Sequence, residues 1–126
     1  MTWVLDASAL IAVLLSEPGQ EKVIPFLPDA VLSTVTWAEV VARLVERETN
    51  EAQIAGAARL VGKRFIEFDA AQGEVSGRLR ETTRSRGLSL GDRCCLALAR
   101  SLGAPVLTAD RAWAGLDVGV RIELIR

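Results

Sequence analysis

The stretch Trp3-Val4-Leu5-Asp6-Ala7-Ser8-Ala9-Leu10-Ile11-Ala12-Val13-Leu14-Leu15 decides the fold class. Trp3-Val4-Leu5 is a short apolar run of strand type, and Ser8 to Leu15 is a helix candidate. Asp6 stands at the junction. The pattern recurs along the chain. Ala30-Val31-Leu32-Ser33 reads as a second strand, Arg64 to Phe68 as a third, Pro105 to Thr108 as a fourth and Val120 to Ile125 as a terminal one. Helical segments lie between them: Gln20 to Leu27, interrupted by Pro25, then Thr36 to Glu48, Glu51 to Val61, Ala70 to Arg86 and Ser89 to Leu102. In the last, Cys95, Leu98 and Leu102 recur at helical spacing, and Gly103 and Pro105 supply the stop. Strands alternating with helices predict right-handed crossovers and an α/β fold, a mostly parallel central sheet flanked by helices. In such sheets the ligand crevice lies beyond the carboxyl ends of the strands.

Composition limits the chemistry. The 126 residues are half hydrophobic and 25% charged, enough apolar material for one core. No repeat, low-complexity tract or linker divides them, so residues 1–126 read as a single domain. The net charge of -1 gives no sign of a strongly basic nucleic-acid binder. The chain has no His and no Tyr. Catalysis by Ser–His or Cys–His pairs is excluded, as is any His-ligated metal. Cys94 and Cys95 are adjacent and cannot staple distant segments, and two are too few for a structural zinc site. Their unpaired thiols fit a reducing cytoplasm. No secretory pattern opens the chain, and the longest uncharged apolar run, Ala7 to Leu15, is too short for a bilayer. Carboxylates, hydroxyls, Arg and Lys remain.

Four acids share one kind of position. Asp6 follows the first strand, and Asp110 follows the fourth. Glu39 and Asp92 are expected in the first turns of their helices. Strand ends and the helix starts that follow them occupy one edge of a doubly wound sheet, so these acids can converge there. Three or four carboxylates on one rim suit a hard divalent cation, and a water acidified by that cation can attack a phosphodiester. Capping is the plainer alternative. Thr36-x-x-Glu39 and Ser89-x-x-Asp92 match the capping-box pattern, Asp6 and Asp110 stand where N-caps stand, and Asp69 is assigned as a cap alone. A cap needs only a short polar oxygen, however, and four acids on one rim repel unless a cation joins them. On spacing alone, both readings stay open.

At these same residues the sequence resembles the PIN-domain ribonucleases. Val4-Leu5-Asp6-Ala7-Ser8-Ala9-Leu10, Ala38-Glu39-Val40-Val41, Leu88-Ser89-Leu90-Gly91-Asp92-Arg93-Cys94-Cys95-Leu96-Ala97-Leu98-Ala99 and Val106-Leu107-Thr108-Ala109-Asp110-Arg111-Ala112-Trp113 follow in the family's order. The form is that of VapC-type toxins of bacterial type II toxin–antitoxin modules. The resemblance implies a PIN-like domain and a Mg²⁺- or Mn²⁺-dependent endoribonuclease that cuts transfer or ribosomal RNA loops. It also implies a homodimer held inactive by a VapB-type antitoxin. Asp6, Glu39, Asp92 and Asp110 take the catalytic positions, Asp6, Asp92 and Asp110 the metal positions, and Ser8 and Thr108 the hydroxyls beside them. Thr36-Trp37 departs from the smaller polar residue the family often has before this Glu, which bears on the groove wall and not on the carboxylates.

Basic and aromatic residues supply further candidates. Arg80 and Arg84, spaced to share a helix face within the run Arg78 to Arg86, are candidate guides for an RNA backbone, with a solvated face as the plainer reading. Arg43 and Arg47 follow Glu39 at helical spacing, with Arg43 a candidate RNA contact and ordinary i,i+4 pairing the plainer reading, and Arg111 adjoins Asp110 as a candidate phosphate contact or a plain neutraliser of the rim. Trp37 is the best-placed of Trp3, Trp37 and Trp113 for stacking on bases, with core packing the alternative. Cys94 and Cys95 read as small core residues. Two other classes fit less well. A phosphoacceptor receiver domain wants two adjacent acids after strand one and a Lys after a later strand, yet Ala7 follows Asp6 and the only lysines are Lys22 and Lys63. An aspartate-nucleophile phosphatase wants a second Asp where Ser8 stands. A housekeeping PIN nuclease without an antitoxin is the third alternative.

Overall fold

A computed structural model describes residues 1–62 and 64–126; Lys63 lies outside the described residues. Strand β1 (Trp3–Leu5) forms the centre of a five-stranded sheet. It is flanked by β2 (Ala30–Ser33) and β4 (Val106–Thr108), with β3 (Phe65–Ile66) and β5 (Ile122–Leu124) at the edges, in the order β3-β2-β1-β4-β5. Every pairing is parallel, with Val4 opposite both Val31 and Val106. The helices are α1 (Ala7–Leu14), α2 (Gln20–Val23), α3 (Thr34–Glu46), α4 (Glu51–Val61), α5 (Ala70–Arg78), α6 (Arg80–Thr83) and α7 (Leu90–Leu102).

Period-two alternation in the strands serves two cores. Trp3, Leu5 and Leu107 join Leu10, Val40 and Leu44 of α1 and α3 in one cluster. Val4 and Val106 join Leu96, Leu98 and Trp113 in the other. Burial on both faces explains why these strands read as continuous apolar runs. The chain moves outward from β1 through β2 to β3, then returns to the other side of β1 for β4. The order therefore reverses between β1 and β4, and a crevice opens beyond their carboxyl ends. Asp6 and Asp110 follow those two strands.

Three expected helices take a different form. The segment from Gln20 changes from α2 to a 3₁₀ turn over Ile24–Asp29, because Pro25 and Pro28 lack amide donors. Helix α3 starts at Thr34: Ser33, the last residue of β2, caps it by accepting the Val35 amide at 3.2 Å. The expected long helix from Ala70 to Arg86 breaks at Leu79 into α5, α6 and a 3₁₀ turn over Arg84–Arg86. The hydroxyls of Thr82 and Thr83 both donate to the Leu79 carbonyl, at 3.3 and 2.7 Å, and Gly73 and Gly77 weaken α5 ahead of the break.

The cysteines are core residues as expected. Trp113 is fully buried, and Trp3 packs on Phe26 with ring centroids 4.3 Å apart. Trp37 is half-buried against Phe65, at 5.0 Å, so its ring serves packing and is not a free stacking platform.

Candidate active site

Asp6 is built into the sheet edge. Its backbone is extended, and its amide donates to the Leu107 carbonyl at 3.0 Å. It occupies the N-cap position of α1, but its side chain makes no capping hydrogen bond. Instead Oδ2 accepts from Ser8 Oγ at 2.7 Å and from Thr108 Oγ1 at 2.8 Å. Those hydroxyls in turn accept the amides of Ala109 and Asp110, at 2.9 and 3.0 Å. Each hydroxyl has one proton, and the two backbone donors leave it free for the carboxylate. Asp6 is only 4% exposed. Burial pushes its carboxyl above the usual range, the two hydroxyls pull it back, and the charge of Asp92 pushes it up again.

Glu39 corrects an expectation. Because Ser33 caps α3, Glu39 lies in the second turn and forms no capping box with Thr36. Thr36 is wholly buried, and its hydroxyl has no partner among the described residues. Among the described residues, Glu39 Oε1 is also buried without a hydrogen-bond partner. Burial first, then the charges of Asp6 and Asp92, raise the Glu39 carboxyl from 4.5 to about 7.

Asp92 and Asp110 do cap. Ser89 and Asp92 form the full box at the start of α7: the Ser89 amide donates to Asp92 Oδ2 at 2.9 Å, and the Asp92 amide to Ser89 Oγ at 3.1 Å. Burial raises the Asp92 carboxyl, the bonds from Ser89 lower it, and the charge of Asp110 raises it. Asp110 Oδ1 accepts the Ala112 amide at 2.9 Å and starts the 3₁₀ turn Arg111–Trp113. Each cap uses one carboxylate oxygen. Asp69 behaves as a cap at α5, accepting the Gln72 amide at 2.9 Å.

All four acids and Ser8 line one open cleft of about 500 Å³ at the switch point. Among the described residues, none of the four acids is in a salt bridge. Capping therefore accounts for one oxygen each of Asp92 and Asp110, and for neither Asp6 nor Glu39. The donor set is hard oxygen with uncompensated charge, which suits Mg²⁺ or Mn²⁺. Among the described residues, no three acidic or cysteine side chains are arranged to hold an ion by themselves.

Of the candidate RNA-contacting arginines, Arg43 lines the cleft, one helical turn after Glu39. Arg80, Arg84 and Arg111 are exposed but do not line it. The break at Leu79 gives Arg80 and Arg84 a short helix of their own. Sequence reading missed Glu17, Glu46 and Arg126 as cleft residues. Glu46 continues the Glu39–Arg43 face of α3, and Arg126 follows β5 as Asp110 follows β4, so the same spacing and strand-end rules reach both. Arg126 is held at the rim by Glu17, at 3.5 Å, and by the Pro18 carbonyl, at 2.8 Å.

A parallel α/β sheet with unpaired carboxylates at its switch point defines a class of acid-lined cleft proteins. The family model for the PIN domain matches residues 3–118, and the chain belongs to that family. Ribonuclease VapC5 of Mycobacterium tuberculosis is 30% identical over 129 residues, covering 98% of this chain and 93% of that protein. Two solved structures share the fold. A toxin–antitoxin complex from Klebsiella pneumoniae aligns with a TM-score of 0.77 at 19% identity, over 99% of this chain and 98% of that one. VapC20 of Mycobacterium tuberculosis, a sarcin–ricin loop cleaving toxin, aligns at 0.71 and 19%, over 95% and 99%.

Proposed function

We propose that this chain, residues 1–126 as one nuclease domain, is a divalent-cation-dependent endoribonuclease and the toxin of a toxin–antitoxin pair. The observation that carries this reading is the cleft itself: four carboxylates at the switch point with no salt-bridge partner among the described residues, one of them fixed by two hydroxyls. The family and the ribonuclease relative support phosphodiester hydrolysis as its chemistry. Asp6, Asp92 and Asp110 hold or orient Mg²⁺ or Mn²⁺. When bound, the cation offsets charge on the phosphate and acidifies a water. Ser8 and Thr108 fix the Asp6 carboxylate. Glu39 orients the attacking water and accepts its proton. Arg43 meets the RNA backbone on one wall, and the cut bases are single-stranded or looped so that they can splay into the cleft.

A VapB-type antitoxin is a proposed protein partner, by analogy with the toxin–antitoxin structures that share the fold, and a second copy of the chain is proposed from the resemblance to VapC-type toxins. Among the described residues, no helix is long and apolar enough to cross a membrane. We place the protein in the cytoplasm, where cellular RNA is found. The test is cleavage of total RNA by the purified chain, freed of bound partner, with Mg²⁺, Mn²⁺ or chelator, beside Asp6→Asn. Discrete cation-dependent fragments missing in the variant support the reading. A folded chain that cuts nothing and does not bind Mn²⁺ overturns it and leaves only Asp92 and Asp110 explained, as caps.

A further inference from the structure

Gly91 occupies the second position of α7, between Leu90 and Asp92. It is not among the glycines with positive φ, so its backbone is one that any L-residue adopts. Glycine in a helix also costs stability relative to Ala. The reason for glycine here lies outside the backbone. A Cβ added at Gly91 would stand within 2.7 Å of all three atoms of the Glu39 carboxyl group. No other described helical glycine is so confined: the nearest atoms to a Cβ at Gly56 or Gly73 are 3.8 Å away, and at Gly77 nothing lies within 4 Å. The Glu39 carboxylate thus occupies the space a side chain at 91 would fill. Among the described residues, Oε1 is buried with no hydrogen-bond partner. The space left open at position 91 is what lets it lie against α7, near Asp92.

We propose that Gly91 is a positioning residue: the gap left by its missing side chain is a notch in the first turn of α7 that seats the Glu39 carboxylate in the catalytic cleft. The inference rests on the nuclease reading for its functional consequence, but the notch itself does not depend on it. Any side chain at 91 displaces the carboxylate. The displaced group is the end of a flexible side chain, so the fold absorbs the change.

The test is Gly91→Ala, with Gly77→Ala as a control for helix propensity. Activity is read on a fluorophore–quencher oligoribonucleotide of mixed sequence with Mn²⁺, and stability by melting in chelator. Gly91→Ala is expected to melt unchanged or a few degrees higher. Its kcat is expected to fall at least about tenfold with KM within about twofold. In a Glu39→Gln background the same substitution should change kcat less than about twofold. Gly77→Ala should leave kcat unchanged. A crystal structure of Gly91→Ala should show the Glu39 carboxylate withdrawn from α7. Full kcat in Gly91→Ala, or a carboxylate still seated against α7, overturns the proposal. If the wild-type chain neither cuts RNA nor binds Mn²⁺, the nuclease reading fails, and the crystal structure still decides the notch.

Discussion

Replacing Glu39 by Gln in metal-free protein should stabilise the fold, and only above acidic pH. Glu39 is half-buried, its Oε1 has no donor, and its carboxyl is raised from 4.5 to about 7 by burial and by Asp6 and Asp92. Between those values the folded protein holds a proton that the unfolded chain has released. Stability therefore falls as pH rises from about 4.5 to about 7, and the penalty is fully present above that. A shift of that size in a dry site corresponds to about 3 kcal/mol. The cleft is open, and solvent screening reduces this to about 1–2 kcal/mol. Gln keeps the shape and removes the charge. Melting in chelator, followed by circular dichroism at pH 4.5 and pH 8, should place Glu39→Gln about 3–8 °C above wild type at pH 8 and within about 2 °C at pH 4.5. A gap of equal size at both pH values, or a less stable variant at pH 8, refutes the claim that the ionised carboxylate is uncompensated.

Asp92→Asn keeps an oxygen to accept the Ser89 amide while deleting the charge. It should melt higher than wild type in chelator and gain less from Mn²⁺. The matching change at the cap Asp69 should alter neither by more than about 0.5 kcal/mol in thermal denaturation. Thr108→Val removes a buried donor to Asp6 and an acceptor for the Asp110 amide. It should cost about 1–3 kcal/mol in chemical denaturation, and the acid limb of the pH–rate profile should move to higher pH because a bond that lowers the Asp6 carboxyl is lost. Arg43→Ala should raise KM and flatten its salt dependence, whereas Arg80→Ala and Arg84→Ala should leave the KM of a short RNA within about twofold.

Much of this architecture is legible in the residues. Trp3–Leu5 and Ala30–Ser33 are apolar runs too short for anything but buried strands, and Glu51–Val61 is bounded by an Asn50 cap and Gly62. The edges are harder to read. Phe65–Ile66 and Ile122–Leu124 are shorter than their apolar runs, because pairing to a single neighbour ends before the hydrophobic pattern does. The start of α3 misleads for a specific reason. Ser33, Thr34 and Thr36 all offer capping hydroxyls, and only tertiary placement of Ser33 at the end of β2 selects among them. That selection decides the chemistry, since it releases Glu39 from a capping role.

The cleft lining was legible where a rule about the sheet edge applies, as at Asp6, Asp92 and Asp110. The role of Gly91 was not, because its meaning lies in a contact with a side chain 52 positions earlier. The arginines divide in the same way. Arg43 shares a helix face with Glu39 and reaches the cleft, while Arg80 and Arg84 lie beyond Leu79, where the helix expected from the sequence breaks.

The most direct test measures Mn²⁺ occupancy by calorimetry and RNA cleavage rate on the same samples, for wild type and Asp6→Asn. The account predicts that cleavage rises in step with occupancy, and that the loss of Asp6 abolishes cleavage while weakening Mn²⁺ binding at least tenfold. Cleavage that persists in chelator, or Mn²⁺ binding and cleavage unaffected by Asp6→Asn, would contradict it.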